Sequence, residues 1–129
     1  LTLLSFAIEY HFVQLDPRLY HTTNLVVHLC NSLLVFWFIQ LISQRRSVAL
    51  VTALLFGVHP MHVESVAWVV ERKDVLYGFF FMAALIAYWH FLLRSDRWCY
   101  GLSWLLFLLS LLAKPQGLLL PLVLLLCDY

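Results

Sequence analysis

Apolar residues run through this chain in long blocks, separated by short clusters of charge. Residues 19–42 form the longest block and meet the requirement of about 20 apolar residues for a helix to cross the hydrocarbon core of a bilayer. Residues 75–93 are a second such block, and residues 98–113 and 118–128 follow, with Lys114-Pro115-Gln116-Gly117 as a tight break between them. Residues 48–59 are also apolar, but up to Val58 the run extends only about 16 Å at 1.5 Å per residue, too short to cross unaided. It either tilts and continues through the His59-Pro60 kink or stops in the interface. The pattern predicts an all-α membrane protein, a multi-span helical bundle with spans over about 19–42, 48–59, 75–93, 98–113 and 118–128. Residues 1–12 turn from apolar to polar at Glu9 and His11, which suits a helix lying at the membrane surface.

Inside the first block the polar residues are not scattered. His21, Asn24, His28 and Asn31 are spaced by three, four and three, so they make one stripe on one helix face. Such groups are costly to expose to lipid and face a bundle interior or a wet cavity. Two readings stay open for them, hydrogen bonding between helices and direct contact with a ligand.

Threading the blocks back and forth sorts the charged turns onto two sides. One side receives Arg45, Arg46, Arg94, Asp96, Arg97 and Asp128; the other receives Glu9, His11, Asp16, Arg18, Lys114 and the stretch from His59 to Asp74. The basic residues divide evenly, so counting them does not set the orientation. The first side has short basic turns of the usual cytoplasmic kind, whereas the second is richer in carboxylates and histidines. That places the stretch from His59 to Asp74 on the non-cytoplasmic side.

Composition agrees with the pattern: 64% of residues are hydrophobic and 12% charged, against about 25% charged in an ordinary soluble domain. We therefore expect residues 1–129 to be part of one transmembrane domain, with no soluble domain. The chain starts at Leu1 inside one apolar phrase and ends just after another, as a piece of a longer membrane region would. A net charge of +1 gives no reason to expect nucleic acid or an acidic partner. Cys30, Cys99 and Cys127 lie far apart without a C-x-x-C pair and read as packing residues.

Candidate chemistry concentrates in HPMHVESVAWVVERKD, residues 59–74, which gathers two histidines, three carboxylates, an arginine and a lysine. Pro60 suits a first helical position, where its missing N–H would be unpaired anyway. If residues 61–72 are helical, Glu64, Trp68, Glu71 and Arg72 share a face, giving an external interfacial helix. Arg72 and Lys73 at its end suit a phosphate, Arg through its planar fork and Lys as a point charge; interfacial anchoring beside Glu71 and Asp74 is the plainer alternative. The spacing H-x-x-H-x-E lacks the i, i+4 histidine pair of a zinc-protease helix, so no metal is assigned. Capping, or hydrogen bonds to a substrate, fits His59, His62 and Glu64 better. No Ser/His/Asp elbow and no Gly-rich phosphate loop is recognisable.

This stretch, with LTLLSFA at the start of the chain, YHTTNLVVHLCN over residues 20–31, LAKP over residues 112–115 and LPLVLLLCDY at the end, resembles the membrane region of GT-C-type glycosyltransferases, the prokaryotic relatives of the TPR-bearing transmembrane O-mannosyltransferases. The resemblance implies a multi-span enzyme that takes a sugar, mannose-like, from a polyprenyl-phosphate carrier and places it on a hydroxyl of a protein or glycan acceptor outside the cytoplasm. It implies partners that are membrane lipid, lipid-linked donor and acceptor, and no cofactor, because the carrier lipid is already activated. Arg72 and Lys73 would bind the lipid phosphate as it leaves. His59, His62 and Glu64 would line the substrate pocket, and Asp74 would orient the basic pair. The carboxylate base of such folds sits in the first external loop, upstream of Leu1, so the catalytic residue is not among those seen here. A transporter or flippase domain, or a structural membrane bundle, is the alternative; the first predicts charge at mid-membrane depth, and the second leaves residues 59–74 without a purpose.

Overall fold

The computed structural model describes residues 2–13, 17–60, 68 and 71–128. Among them the chain forms six α-helices and one 3₁₀ turn: α1 (Thr2–Val13), α2 (Pro17–Ser43), α3 (Arg46–Val58), α4 (Arg72–Arg94), α5 (Arg97–Ala113), the 3₁₀ turn Pro115–Leu119, and α6 (Leu120–Cys127). α2 packs against α3 and α4, and α4 against α5, while α6 folds back onto α4 and α1 touches its start.

The helix ends follow from local chemistry. α2 stops where Gln44 takes a left-handed conformation, φ 55°, and α4 stops in the same way at Ser95, φ 53°, whose N–H donates to the Phe91 carbonyl at 2.7 Å. Asp96 then opens α5 by accepting from the Trp98 N–H at 3.1 Å, an N-cap that answers one orphan donor of the new helix. At the other end of α5, Lys114 is extended at φ −153°, ψ 138°, the region into which a following proline drives its neighbour. Gly117 lets the 3₁₀ turn lie against α5: a Cβ there would meet the Leu111 backbone nitrogen at 3.1 Å.

Among the described residues two helices, Arg18–Ser43 and Arg72–Arg94, are long and apolar enough to cross a membrane, and the all-helical architecture is consistent with a multi-span bundle. Only 17% and 28% of their most apolar windows are buried, unlike the core helices of a soluble protein. The distribution of large and small residues is consistent with a lipid solvent. Leu33, Leu54, Leu93, Leu112 and Leu125 face outward, while Ala49, Ala53, Ala84, Ala87, Ser103 and Ser110 are buried between helices. Without a hydrophobic gain from hiding leucine in lipid, close approach of small residues and interhelical hydrogen bonds hold such a bundle together. The Ser103 hydroxyl supplies one of these bonds, donating to the Ala84 carbonyl at 3.1 Å. Around Ala84, Leu85 and Leu120 the apolar core fills with Phe38, Phe81, Phe107 and Leu124.

α3, with 13 residues, is about 20 Å long, still short of the roughly 30 Å hydrocarbon core. α4 begins at Arg72, three residues before the apolar block at Val75, because Arg72, Lys73 and Asp74 enter its first turn.

Candidate functional site

The polar residues of α2 make the first part of the site. Tyr20, Asn24, His28, Asn31 and Val35 are buried on one face. His21 is exposed, so Tyr20 takes the place in the stripe where His21 was expected. At 100° per residue His21 falls about 60° from the centre of that face, which is far enough to leave the interface. The buried members tie α2 to its two neighbours. His28 donates from Nε2 to the Gly57 carbonyl at 3.1 Å, one of the carbonyls left over at the end of α3. Asn31 donates from Nδ2 to the Val75 carbonyl of α4 at 2.9 Å. The Asn24 amide donates to the Trp68 carbonyl at 3.4 Å and accepts from Arg72 Nε at 2.9 Å. Interhelical bonding, one of the two open readings of the stripe, is therefore what Asn24, His28 and Asn31 do here.

Asn31 is left with one atom unanswered. Its Oδ1 is buried and has no hydrogen-bond partner. Turning the amide over would set Oδ1 against the Val75 carbonyl, so the bond made by Nδ2 fixes the orientation. An acceptor held in this way costs about 1–3 kcal/mol. Gly78 makes the arrangement possible, since a Cβ at that position would come within 3.3 Å of Nδ2.

Arg72, Lys73 and Asp74 are consecutive on the first turn of α4 and so diverge by about 100° each. Arg72 is only 3% exposed. Besides its bond to Asn24 it donates from a terminal nitrogen to the Tyr20 carbonyl at 3.2 Å. Its guanidinium carbon lies 4.6 Å from the centroid of the Phe6 ring and 5.6 Å from that of Tyr20, a cation–π contact that fastens α1 and α2 to the start of α4. A cation at a helix N-terminus opposes the macrodipole, and these partners offset that cost. Lys73 turns back to Glu71 at 3.4 Å and keeps 42% of its side chain exposed. Asp74 crosses to Lys114, Oδ1 to Nζ 2.5 Å, with the two side chains 29% and 23% exposed. It pairs with that distant lysine, where the sequence had placed it beside the Arg72–Lys73 pair. Both ends of the bridge suit their helices: the carboxylate sits in the first turn of α4 and the ammonium at the C-terminus of α5.

His28, Asn31, Asp74, Tyr77, Lys114 and Gln116 line a cavity of about 380 Å³ between α2, α4 and the 3₁₀ turn. That is within the range of small-ligand pockets, about 300–1,000 Å³. Lys114, Gln116 and Tyr77 were not singled out as site residues by the sequence. Lys114 did carry a signal, as a lone cation between two apolar runs. Of the other expected site residues, His59 is exposed at the end of α3, and its backbone N–H donates to the Phe56 carbonyl at 3.4 Å. His62 and Glu64 lie outside the described residues, as does most of the expected interfacial helix over 61–72; Arg72, at its end, belongs to α4. No group of His, Cys, Asp and Glu that could hold a metal is present among the described residues.

The chain is similar to animal O-mannosyltransferases. It is 40% identical over 88 residues to protein O-mannosyl-transferase TMTC3 of Mus musculus, covering 68% of this chain and 10% of that protein. With TMTC1 of the same species the identity is 36% over 102 residues, 78% of this chain and 10% of the relative. With Tmtc1 of Drosophila melanogaster it is 31% over 128 residues, 99% of this chain and 15% of the relative. The chain spans about a tenth of the length of the mouse relatives. No family model and no solved structure matches it. The chain is a distant homologue of this eukaryotic family of O-mannosyltransferases.

Proposed function

We propose that the chain is part of the membrane domain of a GT-C-type glycosyltransferase, which moves a hexose, mannose in the first instance, from a polyprenyl-phosphate carrier to a hydroxyl of a protein or glycan. One observation supports this reading beyond the homology: the side chains that bond between helices, Asn24, His28, Asn31 and Arg72, gather with the Asp74–Lys114 pair at the end where α4 begins, beside a cavity. Residues 59–74 and Lys114 face the non-cytoplasmic side in this scheme, and the short turns with Arg45–Arg46 and Arg94–Arg97 face the cytoplasm.

The chemistry asks two things of this end. A departing lipid phosphate gains charge, and a fixed cation in a poorly solvated site stabilises it, a contribution worth several kcal/mol in favourable cases. Lys73 is the accessible cation of the basic pair and meets the phosphate, while buried Arg72 holds α1, α2 and α4 in register behind it. His59, His62, Glu64 and Asp74 border the substrate. The donor is already activated, so neither nucleotide nor metal takes part. The base that removes the acceptor proton comes from another part of the full-length protein.

Transfer of labelled hexose from a polyprenyl-phosphate donor by the full-length protein tests the reading. Lys73→Ala should lower turnover at least ten-fold at unchanged protein level, and Lys73→Arg should restore much of it. Turnover equal to wild type in Lys73→Ala would remove the phosphate role, and absence of any hexose transfer by the wild-type protein would remove the function.

A further inference from the structure

A second cavity, of about 270 Å³, lies between α4, α5 and α6. Aromatic rings make much of its wall. Tyr100, Trp104 and Phe107 follow one another at i, i+4 and i+7 on one face of α5, with ring centroids 6.4 Å and 5.8 Å apart and planes turned edge to face. Tyr88 of α4 adds a fourth ring, and Leu124 of α6 is among the apolar remainder. Tyr100 and Trp104 are exposed, so the row of rings is open from outside the bundle.

One charge enters this lining. Asp128, just past α6, accepts from the Tyr88 hydroxyl at 2.8 Å and 2.9 Å through its two oxygens. A carboxylate in apolar surroundings is costly without a counter-charge. Among the described residues no basic side chain lies within ion-pair distance of it, since Lys73 pairs with Glu71 and Lys114 with Asp74. The rings and the carboxylate therefore call for the same complement, a cation. Its kind follows from the acceptors at hand. A primary ammonium brings three N–H donors and a guanidinium five, each in need of an acceptor. Both Asp128 oxygens already accept from Tyr88, and the Ser103 hydroxyl on the wall is engaged with the Ala84 carbonyl. A quaternary ammonium has no N–H to satisfy, and aromatic faces are what hold such cations in proteins.

We propose that this cavity takes the trimethylammonium group of a choline-headed phospholipid, held against the rings of Tyr100, Trp104 and Phe107 with Asp128 as counter-charge. A lipid source follows from position. Asp128 belongs to the same side of the bundle as the Arg94–Arg97 turn, and exposed Trp98 and Tyr100 at the start of α5 are aromatics of the kind that sit at headgroup level. The cavity reaches the outside at Leu125, one of the outward-facing leucines, which gives an acyl chain a path along the bundle. Its volume falls just below the range of pockets for whole small ligands, about 300–1,000 Å³, and suits a headgroup whose lipid remains outside. The site is independent of the proposed glycosyl transfer.

Native mass spectrometry of the full-length protein, with lipids that share their acyl chains, tests the proposal. Dioleoylphosphatidylcholine should be retained at least five-fold more than dioleoylphosphatidylethanolamine, which has the same net charge, and than dioleoylglycerol, which has no ammonium. Asp128→Asn keeps an oxygen for the Tyr88 hydroxyl, and Trp104→Leu changes an exposed ring, so neither disturbs the packed core. Each should bring the choline lipid down to the level of dioleoylglycerol, whose own retention should not change. Ethanolamine lipid retained as strongly as choline lipid would overturn the choice of a quaternary ammonium. Adducts of tetramethylammonium that are lost in Asp128→Asn, with the three lipids retained equally, would overturn the lipid source. Equal retention of the three lipids without such adducts, the result expected if another segment of the full-length chain fills the cavity, would overturn the site itself. So would a choline preference that survives in both variants.

Discussion

The two ends of this bundle are built on different principles. Where α2 and α4 begin, side chains reach across the sequence: Arg72 to Asn24 and to the Tyr20 carbonyl, Asn31 to the Val75 carbonyl, and Lys114 to Asp74. Where α2 and α4 finish, the described bonds in the turns are local. Gln44 Nε2 donates to the Leu41 carbonyl at 2.8 Å, the Ser95 N–H donates to Phe91, and Asp96 caps Trp98. A long-range polar contact toward that end, the Tyr88 hydroxyl donating to the Asp128 carboxylate at 2.8 Å, borders a cavity of about 270 Å³ that is otherwise mostly apolar. A turn that only reverses the chain needs nothing more than its own caps. Buried amides and charged side chains are expensive in an apolar bundle, and their concentration at one end is the contrast on which the proposed site rests.

The largest effect expected from this contrast is at Arg72. Arg72→Ala strips Asn24 Oδ1 of its donor, releases the Tyr20 carbonyl and removes the cation between Phe6 and Tyr20. Loss of a buried, charge-assisted network of this kind should cost about 3 kcal/mol in reversible unfolding from detergent micelles. Arg97→Ala, in an exposed turn at the opposite end, should stay within about 0.5 kcal/mol of wild type. Equal effects at the two positions would break the distinction between a site end and a turn end.

The same contrast decides how much could be read from the sequence. The turn end was legible because its information is local: Gln44-Arg45-Arg46-Ser47 and Arg94-Ser95-Asp96-Arg97 break apolar runs, and the helices end there. The α2 stripe was legible from its period, except that spacing alone cannot distinguish Tyr20 from His21 at its first position. What stayed hidden was partnership. Asp74 stands beside Arg72 and Lys73 in sequence, yet helical rotation points the three apart and delivers Asp74 to Lys114, forty residues away. Arg72 had been expected to meet phosphate, because a sequence shows charge but not burial. Lys114 and Gln116 belong to a cavity closed by a 3₁₀ turn that depends on Gly117 meeting α5 closely, a relation no periodicity reports.

A smaller effect tests the bridge itself. Asp74 and Lys114 are each about a quarter exposed, so solvent screens the pair and the full low-dielectric strength does not apply. Asp74→Ala and Lys114→Ala should each destabilise by about 1–1.5 kcal/mol, and the double variant by less than their sum, with a coupling of about 1 kcal/mol in the same unfolding measurement. Strict additivity would mean that the two groups do not act as a unit.

The smallest effect, and the only stabilising one, belongs to the turn end. Ser95 holds a left-handed conformation at φ 53° that crowds the Cβ of an L-residue and costs about 1–2 kcal/mol. Ser95→Gly relieves the crowding, while the greater freedom of glycine in the unfolded chain takes back about 0.5–1 kcal/mol, so the net gain should be near 0.5 kcal/mol. The N–H to Phe91 is a backbone bond and survives the change. Gln44 has the same backbone geometry, but its side chain also donates to the Leu41 carbonyl, so Gln44→Gly surrenders that bond and should be close to neutral. A gain at Ser95 without one at Gln44 would show that these turns are governed by residue-level caps alone. A loss of stability in Ser95→Gly would instead require a tertiary role for the α4–α5 turn, and the two ends would no longer differ in kind.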